Sequence, residues 1–317
     1  MGAEIDITSQ YLVNLLFNGV LIGSIYALMA LGLTLIFSVM GIVSFAHGEH
    51  YMIGGYVAFV VIENFTGLPR FTGVIVAGVV TFIIGALFER IFLRPMARGE
   101  IERPSEYAIL VTFGLAFFLQ YTTLGIMGPF PKKAPRFWDL PEIDIGWLVS
   151  KAATLRIWDI PLSAGRLTAA LLAVVLLVAM LYFMKRTWTG RGLNAISQDK
   201  DASAVVGINP LRMNTLAFGL GTMLAGMSGA TLVTVFSWVA QVGVPASAKS
   251  FVIIVLGGMG SIPGALLGGL IIGIVESLGA GLWPDPNRAL AYKDVLGLLI
   301  FALVLLVKPT GLFGRKL

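Results

Sequence analysis

No cysteine occurs anywhere in the 317 residues, and histidine occurs only twice. Those absences exclude a disulfide framework, a thiol nucleophile and a cysteine metal site. Charge is scarce as well: Asp, Glu, Lys and Arg together make 12% of the chain, against roughly 25% in soluble domains. No stretch reads G-x-x-x-x-G-K-[ST], so the chain lacks the glycine loop that cradles ATP phosphates. Residues 1–10 carry Glu4 and Asp6 but no Lys or Arg, unlike the basic start of a secretory signal peptide, and the first hydrophobic run is expected to stay in the mature protein.

What fills the space is apolar. Hydrophobic residues reach 57% and mean hydropathy is +0.89. A hydrocarbon core of about 30 Å is crossed by about 20 apolar residues rising 1.5 Å each. About eight segments meet or approach that length: 11–37, 42–62, 71–90, 106–126, 166–184, 213–236, an interrupted stretch 249–281, and 290–307. The expectation is one all-α domain over 1–317, a polytopic membrane bundle with broken or re-entrant helices, bathed in lipid. The 38 glycines suit close helix packing and helix breaks beside a cavity. A net charge of +5 in a soluble protein would suggest nucleic acid; here the basic residues cluster between spans, where topology explains them.

Three polar segments separate the spans. Residues 89–105 and 185–212 fall on one side by parity, and 127–165 falls on the other. The long segment contains Pro129, Pro131, Pro135, Pro141 and Pro161 among Phe130, Phe137, Trp138, Trp147 and Trp158, a mixture suited to the water interface and expected to form an extracytoplasmic cap. Lys and Arg are divided too evenly between the two sides to fix orientation.

Two glycine-rich breaks stand out. In 249–281, the run Ser250–Leu256 is too short to cross, and Gly257-Gly258-Met259-Gly260-Ser261-Ile262-Pro263-Gly264 interrupts the helix. The other is Ser44-Phe45-Ala46-His47-Gly48-Glu49-His50. If they reflect an internal repeat, they should face each other across a pathway. Ser44, His47, Glu49, His50, Gly258, Gly260, Ser261 and Gly264 are therefore the candidate path residues. A charge facing lipid costs about 3 kcal/mol or more, so His47, Glu49 and His50 should face an interior. The simpler reading puts them near the cytoplasmic end of their span, bonded to neighbouring helices. An intramembrane metal enzyme is disfavoured, because His47 and His50 lack the i, i+4 spacing of H-E-x-x-H and no other histidine exists. An ion-coupled secondary transporter would depend on Glu49 or Glu276. Glu276 is expected near the end of its run, Glu89 in an interfacial pair with Arg90, and Asn14 and Asn18 in bonds between helices.

Residues 189–209 read as a short amphipathic helix ending at glycine. Asp199 or Asp201 can serve its first turn, Ala202, Val205 and Val206 share a face, and Gly207 can supply the left-handed cap. Insertion into a groove on another protein and burial among lipid headgroups are both open to such a helix.

Asp201-Ala202-Ser203 with Gly207 four residues on is similar to the Glu-Ala-Ala…Gly coupling loop of ABC importer permeases, with Asp for Glu and Ser for the second Ala. Together with Ser44–Glu49, Gly258-Met259-Gly260-Ser261 and the ending Lys308-Pro309-Thr310-Gly311-Leu312-Phe313-Gly314, the chain resembles branched-chain amino acid permeases of the Liv H type nearly end to end. That resemblance implies an inner-membrane heterodimer with a similar permease, two cytoplasmic ATPases that bind the ATP and Mg, and a periplasmic binding protein delivering leucine, isoleucine or valine. The chain itself would carry no cofactor, metal or catalytic residue. The resemblance also implies that 185–212 faces the cytoplasm and contacts an ATPase through Asn194, Ala195, Asp199, Asp201, Ala202, Ser203, Val206 and Gly207. Related permeases sharing these motifs leave urea, short amides or another small polar nutrient open as cargo.

Overall fold

The computed structural model describes residues 9–138, 143–144, 148–151, 154–157, 160–283 and 286–314. Its frame is the antiparallel pair α1 (Ser9–Met40) and α11 (Ile262–Leu282). Glycines let the two backbones touch: a Cβ at Gly19 or Gly23 would strike α11, and one at Gly269 or Gly273 would strike α1. Small residues at such a seam substitute contact for the hydrophobic drive that lipid cannot supply. The helix α9 (Pro210–Leu232) packs on α1 from another side, with Gly32 and Gly221 in mutual backbone contact, and on α3 (Thr72–Phe88) through Gly85, Gly219 and Gly226.

Helix α3 continues through a π-helical turn, Glu89–Leu93, into the short α4 (Arg94–Ala97). Next come α5 (Pro104–Met127) and α6 (Ala164–Arg186), whose outward faces expose Leu110, Phe118 and Tyr121, and Leu171, Val175 and Val178. Among the described residues, seven helices are long and apolar enough to cross a membrane: α1, α3 with its continuation, α5, α6, α9, residues 240–257, and α11. The last helix is α12 (Pro286–Val307).

The two sides of the bundle follow from contacts at the helix ends. Asn18, near the start of α1, accepts from Arg166 at the start of α6 at 2.8 Å, so both helices begin on one side. On that side, part of 127–165 folds as a small antiparallel meander, β1 (Ile143–Asp144), β2 (Leu148–Lys151), β3 (Thr154–Ile157) and β4 (Ile160–Ser163). Short alternating strands of this kind were not visible in a segment read for its prolines and aromatics. Phe137 is buried and Phe130 exposed, while Trp147 and Trp158 lie outside the described residues.

At the opposite side, α6 leads into α7 (Trp188–Gln198) and α8 (Lys200–Val205). The expected single helix over 189–209 is therefore two, because Asp199 takes an extended conformation and caps α8, its Oδ1 accepting from Asp201 N and Ala202 N at 2.9 Å each.

Candidate functional site at mid-membrane

The loop between α1 and α2 (His47–Asn64) does not stay at the surface. It re-enters the bundle, so that His47 Nε2 lies 2.9 Å from the Met29 carbonyl oxygen. Met29 sits 11 residues before the end of α1, roughly 16 Å back from that end at 1.5 Å per residue. Helix α2 thus begins inside the membrane, beside the middle of α9, where His50 meets Phe218 edge-on. The sequence reading had placed these residues near the end of a span.

Helix α10 (Gly243–Gly257) begins at the same depth and runs the other way. Gly48 and Gly243 touch, and a Cβ on either would overlap the other's neighbourhood. Gly48 N donates to Ser247 Oγ at 2.7 Å, and Ser247 Oγ donates to the Phe45 carbonyl at 2.9 Å. Glu49, 1% exposed, lays its carboxylate against Gly243, where a Cβ has no room. Two helix N-termini with their positive dipole ends thus meet around a carboxylate, an arrangement that favours negative charge there.

His47, Glu49 and His50 do not converge. The first faces α1, the second α10, and the third turns Nδ1 to the Ala46 carbonyl at 2.8 Å. No group of His, Asp and Glu among the described residues is placed to hold a metal ion. Ser44 is buried in the re-entrant loop.

Gly258, Gly260, Ser261 and Gly264 lie elsewhere. They form the turn between α10 and α11, with Gly258 at φ +101° and Gly260 at φ +80°, conformations that glycine reaches without strain. Gly260 neighbours Phe37 and Ser38 at the end of α1, which puts the turn at the face of the bundle shared with α7. The two breaks therefore do not oppose each other. Helix α10 starts seven residues before Ser250, so it reaches this face from mid-membrane; its mixed first two turns, Gly-Val-Pro-Ala-Ser-Ala-Lys, hide that start. The ending of the chain closes the turn, with Leu312 N donating to the Leu256 carbonyl and Phe313 N to that of Gly257, each at 2.9 Å.

Beside the N-terminal junction sits a charged cluster. Glu276 is 2% exposed and pairs through Oε1 with Lys249 Nζ at 2.7 Å and through Oε2 with Lys293 Nζ at 3.2 Å. Tyr26 donates its hydroxyl to Glu276 Oε2 at 3.1 Å, and Lys249 lies over the Tyr26 ring, 4.8 Å from its centroid. Four helices contribute, and an adjoining cavity of about 160 Å³ is lined by Lys249 and Glu276 with Pro245, Val252, Ile272 and Leu298. Lys249 and Lys293 went unnoticed in the sequence because each sits next to a short polar patch; Glu276 was legible as an acid in an apolar run, but it is interior and not near water. Glu89 is likewise buried and accepts from Thr215 on α9, with the charges of Arg94 and the exposed Arg90 acting on it, so it lies inside the bundle and not at an open interface.

The coupling-loop residues divide into two sets. In α7, Leu193 and Ile196 are buried and Asn194 donates to the Met184 carbonyl at 3.1 Å, while Ala195 is half-buried beside them. In α8, Ser203 is buried and donates to the Asp199 carbonyl. Asp199, Asp201, Ala202, Val206 and Gly207 are exposed, and Gly207 takes φ +90° as the left-handed terminator.

A polytopic helical bundle, with half-helices and fixed charges meeting at mid-depth, has the architecture of a membrane transport component. Residues 15–306 match the family model described as the permease component of the branched-chain amino acid transport system, and the chain belongs to that family. It is 33% identical over 315 residues to the high-affinity branched-chain amino acid transport system permease protein LivH of Escherichia coli, covering 96% of each chain. To the corresponding protein BraD of Pseudomonas aeruginosa it is 32% identical, covering 95% of each. It is also 26% identical to LivM of Escherichia coli, over 80% of this chain and 61% of that one. Membership makes this a multi-pass inner-membrane protein and a transport component rather than an enzyme; its relatives include both permeases of one transport system.

Proposed function

We propose that the chain is one of two permease subunits in an ABC importer of branched-chain amino acids, driven by two cytoplasmic ATPases that bind ATP and Mg and fed by a periplasmic binding protein. The observation that carries this is α8. Val205 and Val206 are 88% and 75% exposed at the end of a capped helix, with no described residue covering them. Helix α7 ties that tip to the bundle through Asn194 and its buried leucine and isoleucine. A push on α8 therefore reaches α6 and α9, the two spans that flank the loop, and rocking them alternates access to the mid-membrane site. Residues 185–212 face the cytoplasm in this reading, and the 127–165 segment with its sheet faces the periplasm. Ser44, His47, Glu49 and His50 stand behind the path at mid-membrane, each buried against a neighbouring element, while Gly258, Gly260, Ser261 and Gly264 form the turn at the cytoplasmic face.

The test is leucine uptake by the assembled transporter in proteoliposomes. Val206→Asp, which buries a charge in the docking groove, should lower ATP-driven uptake about thirty-fold, the effect of losing a 2 kcal/mol hot spot. The permease should remain folded. Wild-type uptake by that variant would exclude α8 as the contact.

A further inference from the structure

The three fixed charges that meet here among the described residues are an expensive way to join helices inside a membrane. Each costs about 3 kcal/mol or more when taken into the bilayer, and apolar packing often holds a site as well as a buried ion pair does. Elsewhere in this bundle glycine contacts do that joining, as between α1 and α11. The cluster also lies beside a cavity, and Tyr26 stands near the midpoint of the 32-residue α1. We propose that Tyr26, Lys249, Glu276 and Lys293, with the adjoining cavity, form the subsite that holds the zwitterionic head of a transported amino acid halfway across the membrane. This rests on the transport reading above.

The chemistry of the cluster selects among cargos. An α-amino acid brings an ammonium and a carboxylate on one carbon. Its ammonium can replace Lys249 as a partner of Glu276 Oε1, while its carboxylate accepts from the displaced Lys249 Nζ. Every charge then keeps an opposite neighbour, so loading strands none of them in a low dielectric. The exchange of one ion pair for two similar ones also keeps binding weak, as passage requires. Urea, an amide or a sugar has no charges to exchange and would have to enter at the expense of an intact pair.

The cavity fits the remainder of the solute. At about 160 Å³ it is small beside the ~300–1,000 Å³ of drug-sized pockets. Val252, Ile272 and Leu298 supply an aliphatic wall for a branched side chain next to the charged heads.

The experiment uses the transporter assembled with both permeases, the ATPases and the binding protein, and photo-leucine, a diazirine-bearing leucine analogue. On irradiation the label should fall on residues 245–252 or on Leu298, and excess leucine should suppress it. Glu276→Gln should abolish the label and lower maximal uptake at saturating binding protein at least ten-fold. Ala248→Phe leaves every charge in place, narrows the cavity from an exposed position on α10, and should reduce both readouts in an otherwise stable complex. Leucine uptake without label at these residues overturns the subsite alone, as does wild-type uptake by Ala248→Phe. A wild-type complex that imports no leucine overturns the transport reading and the subsite with it.

Discussion

Glycine 54 has the backbone of Gly226 where its side chain would be, and Gly226 in turn has the Thr81 side chain. Each residue is thus fixed by its neighbour's approach rather than by its own φ. Gly54→Ala should force α2 and α9 apart and cost about 1–3 kcal/mol, as overpacking does; a fluorescence melting curve of the purified protein should drop by several degrees. Gly114 on α5 has nothing within 4 Å, so Gly114→Ala should leave the curve in place. A second residue acts through a hydrogen bond: Trp238, 1% exposed, donates Nε1 to the Met52 carbonyl at 3.0 Å. Trp238→Phe keeps most of the ring but removes that second bond from a carbonyl already engaged within α2, and melting should show a loss of about 0.5–1.5 kcal/mol.

Among the elements, the loop between α6 and α9 is where sequence chemistry was most readable. The Asp near the start, the glycine at the end and the apolar pair between them are local signals, and local signals survive into the fold. The position of the cap was open between Asp199 and Asp201, since either spacing satisfies a first turn; Asp199 has the extended backbone that a cap needs. Asp199→Ala should loosen α8 by about 1 kcal/mol and reduce the coupling of ATP hydrolysis to uptake, while Asp199→Asn should restore it. Helix α10 was read less well. Its start is set by the contact of Gly243 with Gly48 and Glu49, nearly two hundred positions away in sequence, and no local pattern marks it. For the same reason the charged cluster was invisible: Tyr26, Lys249, Glu276 and Lys293 are brought together only by helix packing.

At the scale of the whole molecule, composition alone was enough for the class, because no soluble fold accommodates so much apolar surface with so little charge. Sidedness was not legible, since the positive residues are shared between the faces. The structure relates the faces without charge counting: Asn18 with Arg166 marks one, and Asn194 with Met184 the other. The lack of cysteine makes this simple to check. Single substitutions Phe130→Cys and Val205→Cys, both at exposed positions, should react with a membrane-impermeant maleimide from opposite sides of sealed vesicles. Labelling of both from one side would invert half of the topology.

The clasp of Leu312 and Phe313 on Leu256 and Gly257 has a consequence in time. Chains emerge N-terminal end first at about 5–20 residues per second, so on the order of several seconds pass before the partners of those carbonyls leave the ribosome. Through that interval the tip of the hairpin lacks those two bonds and relies on the contacts of its own two arms. Closure of this hairpin then waits on residues 308–314, and a chain cut before Lys308 should be removed by the quality-control proteases of the membrane.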